Sequence, residues 1–113
     1  MLLNFGHTLG HVYERAYHYE TYTHGEAVAA GMVMAAHLGE KLGITPAETD
    51  GQIAGVLRQF GLPTEIPAKK QDYAGTLTKD KKSDGADISF IVLRQIGKAE
   101  AVKLETQRLL DLL

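Results

Sequence analysis

Two strings decide how this chain is read: Asn4-Phe5-Gly6-His7-Thr8-Leu9-Gly10-His11, with Glu14 three residues on, and His24-Gly25-Glu26-Ala27-Val28-Ala29-Ala30-Gly31-Met32. Around the first, Phe5, Leu9, Val12, Tyr13 and Ala16 recur at three- and four-residue steps, which predicts an amphipathic helix from Asn4 to about Tyr17. The second opens a more apolar helix, predicted from about His24 to Leu42, whose alanines and glycines allow close packing against neighbours. Tyr17 to Thr23 breaks the period and reads as a loop. Gly6 and Gly10 strip bulk from the helix that carries His7 and His11, leaving room for a partner helix or a substrate near the backbone.

His7 and His11 stand four residues apart, so on a helix they share one face. His24 is the third histidine of the same short window. Neutral imidazole is a common zinc ligand, and two imidazoles from adjacent helices can hold one ion when a carboxylate and a water complete the shell. Spacing alone leaves open which two of the three would serve, and the pattern also occurs in surface histidines and hydrogen-bonded core histidines. His18 and His37 are expected to be exposed or to make structural hydrogen bonds.

Working outward, Gly43 offers a stop for the second helix. Thr45, Pro46 and Glu48 then read as a capping box opening a helix that carries Ile53, Val56, Leu57 and Phe60, and that ends at Gly61 before Pro63 and Pro67. A shorter helix is predicted from Asp72 to about Lys81 with Tyr73 and Leu77 inward, followed by a turn at Ser83-Asp84-Gly85. The period then changes. Ile88, Phe90 and Val92 alternate as a strand, Gln95 to Lys98 can turn, Ala99 to Leu104 can pair back as a hairpin, and Thr106 to Leu113 returns to helical spacing. The fold class predicted is mainly α: a single multihelical domain over residues 1–113, with one small β-hairpin near the C-terminus.

Composition narrows the function classes. The chain has 113 residues, 44% hydrophobic and 23% charged, as in ordinary globular proteins. A formal net charge of -2 provides no basic field for nucleic acid or an anionic membrane. The absence of cysteine excludes disulfides and thiolate metal sites. With no signal-like start and no apolar run of membrane-spanning length, the expected location is the cytoplasm.

These residues carry a family resemblance. The two histidine strings, followed by Asp80-Lys81-Lys82, Gly85 and Ile96-Gly97 in the same order, resemble the signatures of 3-dehydroquinate synthases over nearly the whole chain. The resemblance implies that His7 and His24 are two ligands of a catalytic zinc, or another divalent metal such as cobalt. It implies a third ligand, a glutamate, from a segment preceding this chain. By the same resemblance His11 contacts substrate or relays a proton, Asn4 binds substrate, and Lys82, with Lys81 as second choice, holds a substrate anion. Glu26, close behind one ligand, is the candidate to orient an imidazole through its other nitrogen. The implied reaction converts 3-deoxy-D-arabino-heptulosonate 7-phosphate to 3-dehydroquinate and phosphate in the shikimate route to aromatic amino acids. Bound NAD takes up a hydride and later returns it.

The chain departs from the family in one large respect: it has no Gly-x-Gly-x-x-Gly after a strand and no alternating strand-helix pattern. The NAD-binding domain is therefore expected on an N-terminal part absent from this chain. The isolated chain is then expected to be inactive and to bind zinc weakly. It should also expose an apolar face, which favours a homo-oligomer. The competing readings are a related sugar-phosphate cyclase such as 2-deoxy-scyllo-inosose synthase, which the Asp80-Lys81-Lys82 string disfavours, and a non-catalytic helical interaction domain.

Overall fold

Helix α1 (His7–Ala16) and helix α2 (His24–Lys41) cross where their backbones touch. A Cβ placed on Gly31 would stand 2.3 Å from the Gly6 carbonyl oxygen and 2.7 Å from the Gly10 nitrogen. One placed on Gly10 would meet the Val28 Cα at 3.1 Å. The bulk missing at Gly6, Gly10 and Gly31 is what allows this approach, and the occupant of the space predicted beside α1 is α2. Leu9, Val12 and Tyr13 of α1 and Ala27, Ala30, Ala35 and Leu38 of α2 are buried around the crossing.

The computed structural model describes residues 6–79, 87–95 and 98–113. Helix α3 (Thr49–Gln59) packs on α2, and α4 (Lys70–Lys79) packs on α1. Strands β1 (Asp87–Gln95) and β2 (Lys98–Glu105) form a two-stranded antiparallel sheet, with Phe90 opposite Val102 and a register shift between Leu93 and Gln95. β1 lies against α2, and α5 (Thr106–Leu112) returns to β2 and α4. The predicted class therefore holds: helices with one C-terminal hairpin. Tyr73 and Leu77 point into the core as expected, and the Tyr73 hydroxyl shares a buried hydrogen bond of 2.9 Å with that of Tyr13. Among the described residues no helix is long and apolar enough to cross a membrane.

Two local expectations are corrected. Thr45 does not cap a helix. It is buried, its hydroxyl donates to the Leu93 carbonyl of β1, and α3 begins only at Thr49 behind Glu48 at φ 70°. A tertiary contact has taken the oxygen that a cap would have used. The capping box that does form is Thr23 with Glu26 at the head of α2: the Glu26 N–H donates to the Thr23 hydroxyl at 3.1 Å, and the Thr23 N–H donates to the Glu26 carboxylate at 2.8 Å. In α3, Thr49, Ile53 and Ala54 are buried and Leu57 packs against the core, but Val56 and Phe60 of the same apolar series are exposed.

The ends of α1, α2 and α3 share one geometry. In each, two N–H groups just past the helix reach back over its last turn in the doubly bonded Schellman arrangement: from His18 and Tyr19 to Arg15 and Glu14, from Gly43 and Ile44 to Glu40 and Gly39, and from Gly61 and Leu62 to Arg58 and Leu57. The residue at the turning point adopts positive φ. Gly43 and Gly61 do so at 77° and 73° without steric conflict; in α1 the position is filled by His18 at 59°, and Tyr19 follows at 61°.

Candidate functional site

The crossing of α1 and α2 brings His7 and His24 together, although seventeen positions separate them in the chain. Their rings meet edge to face, with centroids 5.3 Å apart and an interplanar angle of 86°. Both residues are exposed. A Zn–N bond of about 2.0–2.1 Å puts an ion roughly 3.2 Å from each ring centre, and a tetrahedral angle then separates the centres by roughly 5.2 Å. The observed spacing suits two imidazoles sharing one divalent ion.

Behind this pair stands Glu14. Its carboxylate lies 3.0 Å from Nδ1 of His24, and while the His24 side chain is 64% exposed, that of Glu14 is only 16% exposed. A carboxylate on Nδ1 fixes the ring and its tautomer and leaves Nε2 to ligate, an arrangement that recurs behind metal-binding histidines. Glu26, the sequence candidate for this duty, is placed elsewhere: its carboxylate closes the capping box on Thr23. Glu14 escaped the sequence reading because its partner is ten positions away on another helix. The signal was its place one helical turn beyond His11 in the first string.

His11, one turn after His7, is half-buried, and its Nε2 lies 3.0 Å from the Tyr19 hydroxyl. Asn4, Lys81 and Lys82 lie outside the described residues, as do the Ser83-Asp84-Gly85 turn and Ile96-Gly97. Among the described residues no group of three or more His, Cys, Asp or Glu side chains is gathered to hold an ion. The pair supplies two donors; any third would come from outside them.

His37 belongs to a different place. Its Nδ1 is 3.2 Å from the Asp50 carboxylate, bridging α2 to the start of α3, where Glu40 also accepts from the Asp50 N–H at 2.7 Å. Burial pushes the Asp50 carboxyl up, but hydrogen bonding with Glu40, the Gly51 N–H and His37 outweighs it and leaves the group below the usual carboxylate range. His37 and Asp50 face a cleft of about 380 Å³ floored by Ala30, Met34 and Ile66. His18 is exposed at the α1 turn.

The fold is one already seen in sugar-phosphate cyclases. A 2-deoxy-scyllo-inosose synthase solved with carbaglucose-6-phosphate, NAD+ and Co2+ superposes with a TM-score of 0.80 at 25% identity, over 96% of this chain and 33% of that one. A second 2-deoxy-scyllo-inosose synthase structure gives a TM-score of 0.77 at 24% identity. Residues 1–83 match the family model described as 3-dehydroquinate synthase C-terminal, and the chain belongs to the 3-dehydroquinate synthase family. A 3-dehydroquinate synthase of Thermoanaerobacter pseudethanolicus is 42% identical over 99% of this chain and 32% of its own length. The corresponding protein of Acidithiobacillus ferrooxidans is 46% identical over 87% of this chain and 27% of its own, and that of Clostridium kluyveri is 41% identical over 93% and 30%. The chain thus spans about a third of the length of these relatives.

Proposed function

We propose that this chain is the metal-binding part of a 3-dehydroquinate synthase, acting on 3-deoxy-D-arabino-heptulosonate 7-phosphate to give 3-dehydroquinate and phosphate. The observation that carries the reading is the 5.3 Å approach of the His7 and His24 rings, backed by a carboxylate on the second. Support for a divalent metal and NAD comes from the 2-deoxy-scyllo-inosose synthase crystallised with NAD+ and Co2+. NAD is assigned to a nucleotide-binding part outside these 113 residues. The complete protein is read as a cytoplasmic homo-oligomer, and among the described residues the exposed Val56 and Phe60 offer apolar side chains for contact with another part or copy.

When bound, the metal supplies a Lewis acid for the hydroxyl to be oxidised, and NAD a hydride acceptor. The residues of this chain do the rest of their share by position. His7 and His24 offer imidazole nitrogens at a spacing fixed by the helix crossing. Glu14 keeps the His24 ring in one tautomer. His11, one turn along, is suited to hold or pass the substrate hydroxyl proton, because an imidazole nitrogen can accept or donate one. The Lys82 ammonium would hold phosphate or carboxylate oxygens, and the Asn4 amide would hydrogen-bond to substrate hydroxyls.

The test uses the complete protein. His7→Ala and His24→Ala should each strip bound metal, measured by elemental analysis, and abolish turnover of the heptulosonate phosphate; full metal occupancy in both variants would refute the assignment. The isolated 113-residue chain, given zinc and NAD, should show little or no turnover. A second reading, 2-deoxy-scyllo-inosose synthase, draws on the TM-score of 0.80. Turnover of glucose 6-phosphate in preference to the heptulosonate phosphate would establish it. A non-catalytic helical domain would show neither activity and no histidine-dependent metal.

A further inference from the structure

We propose that Tyr19 is a positioning residue for His11, set in place by the turn that ends α1. The inference rests on the reading of His11 as a substrate-facing or proton-relaying group. Its basis is the turn itself. Gly43 and Gly61 end their helices with one residue at positive φ, whereas α1 ends with two, His18 and Tyr19, and neither is glycine. Tyr19 holds the place that Ile44 and Leu62 hold in the other two turns, and the Schellman arrangement brings it back over the last turn of the helix.

Two contacts record that return. The Tyr19 N–H donates to the Glu14 carbonyl at 2.8 Å, and the Tyr19 hydroxyl lies 3.0 Å from Nε2 of His11, with the rings tilted at 52°. The phenol thereby holds the Nε2 edge of the imidazole and links the state of that nitrogen to the hydroxyl. If the phenol donates, Nε2 is bare and the ring proton sits on Nδ1; if Nε2–H donates, the reverse holds. Either way the hydroxyl is coupled to the protonation of Nε2.

Glu14 ties this arrangement to the metal pair. Its carbonyl holds the Tyr19 backbone while its carboxylate holds His24. One residue therefore anchors both ring-orienting contacts, and the turn from Glu14 to Tyr19 works as a single bracket for His11 and His24.

The test is Tyr19→Phe in the complete protein, with Tyr22→Phe as control; Tyr22 packs on Tyr17 rather than on His11. The imidazole 15N spectrum should show a changed tautomer balance at His11 and no change at His7 or His24. The kcat should fall about tenfold, with KM and bound metal unchanged, while Tyr22→Phe leaves both readouts as in the parent. A His11 spectrum indistinguishable from wild type overturns the proposal whatever the activity does. A changed spectrum with kcat within twofold of wild type also overturns it. Failure of the underlying reading has its own mark: His11→Asn would then leave kcat intact, although the 15N response to Tyr19→Phe would still report the contact.

Discussion

The Glu14 carboxylate lies 3.0 Å from Nδ1 of His24, across the interface between α1 and α2. Neutralising that carboxylate removes the acceptor that holds the ring, so Glu14→Gln in the complete protein should weaken metal affinity by roughly 10–100-fold. Glu26→Ala should instead cost about 0.5–1 kcal/mol of helix stability through the lost capping box and leave metal affinity near wild type. Titration with a competing chelator distinguishes the two; equal losses of affinity would count against the assignment of Glu14.

Gly31→Ala probes the crossing. An alanine in an exposed helix interior is usually worth about 1 kcal/mol over glycine. Here the new methyl would meet backbone, at 2.3 Å from the Gly6 oxygen, and backbone cannot rotate away. The expected net result is a loss of about 1–3 kcal/mol or more, seen as a lower urea midpoint, with metal affinity falling as His7 and His24 separate. A variant as stable as the parent would show that the helices can part at no cost.

His18→Gly should stabilise the fold. His18 fills, at φ 59°, the turning position that glycine takes in α2 and α3. Relief of the left-handed strain should yield about 1 kcal/mol and raise Tm by roughly 4 °C. Calorimetry decides the matter, with Gly61→Ala as the opposite change and the opposite expected sign.

The pH dependence of stability has two limbs. Burial, reinforced by Tyr73 and Glu65, holds the Tyr13 phenol above the ordinary tyrosine range, and burial also raises Tyr73. The unfolded chain then loses these protons first, so stability is full below about pH 10 and falls as pH rises beyond it. Asp50 is lowered, so its contribution is present above the ordinary aspartate value and is lost as pH falls through its folded one. Urea midpoints across pH should show both limbs. Asp50→Asn should flatten the acid limb, and Tyr13→Phe should reduce the alkaline limb to the share of Tyr73.

What the sequence made legible follows from range. The helices around Val12, Leu38 and Ile53 and the hairpin of β1 and β2 show themselves as local periods, and Gly43 and Gly61 as local stops. Thr45 looked like a cap because Thr-Pro-x-Glu is a local pattern, yet its hydroxyl bonds to Leu93, 48 residues away. The Thr23 and Glu26 box is equally local, but Glu26 also follows a candidate ligand closely, and the sequence does not say which of the two duties its carboxylate takes. The same distance rule hides Glu14 behind His24 and joins Tyr13 to Tyr73, 60 residues apart. His18 carries no sequence mark of a helix stop, since it stands where glycine would announce one.

Where Gly31 meets Gly6 and Gly10, main chain rests on main chain, with no side-chain rotamers in between to absorb a disturbance. Such a joint has two settings, shut or undone. Warming should therefore leave the separation of the His7 and His24 rings constant until the whole domain melts, and the grip on an ion should vanish in that one cooperative step rather than slacken by degrees.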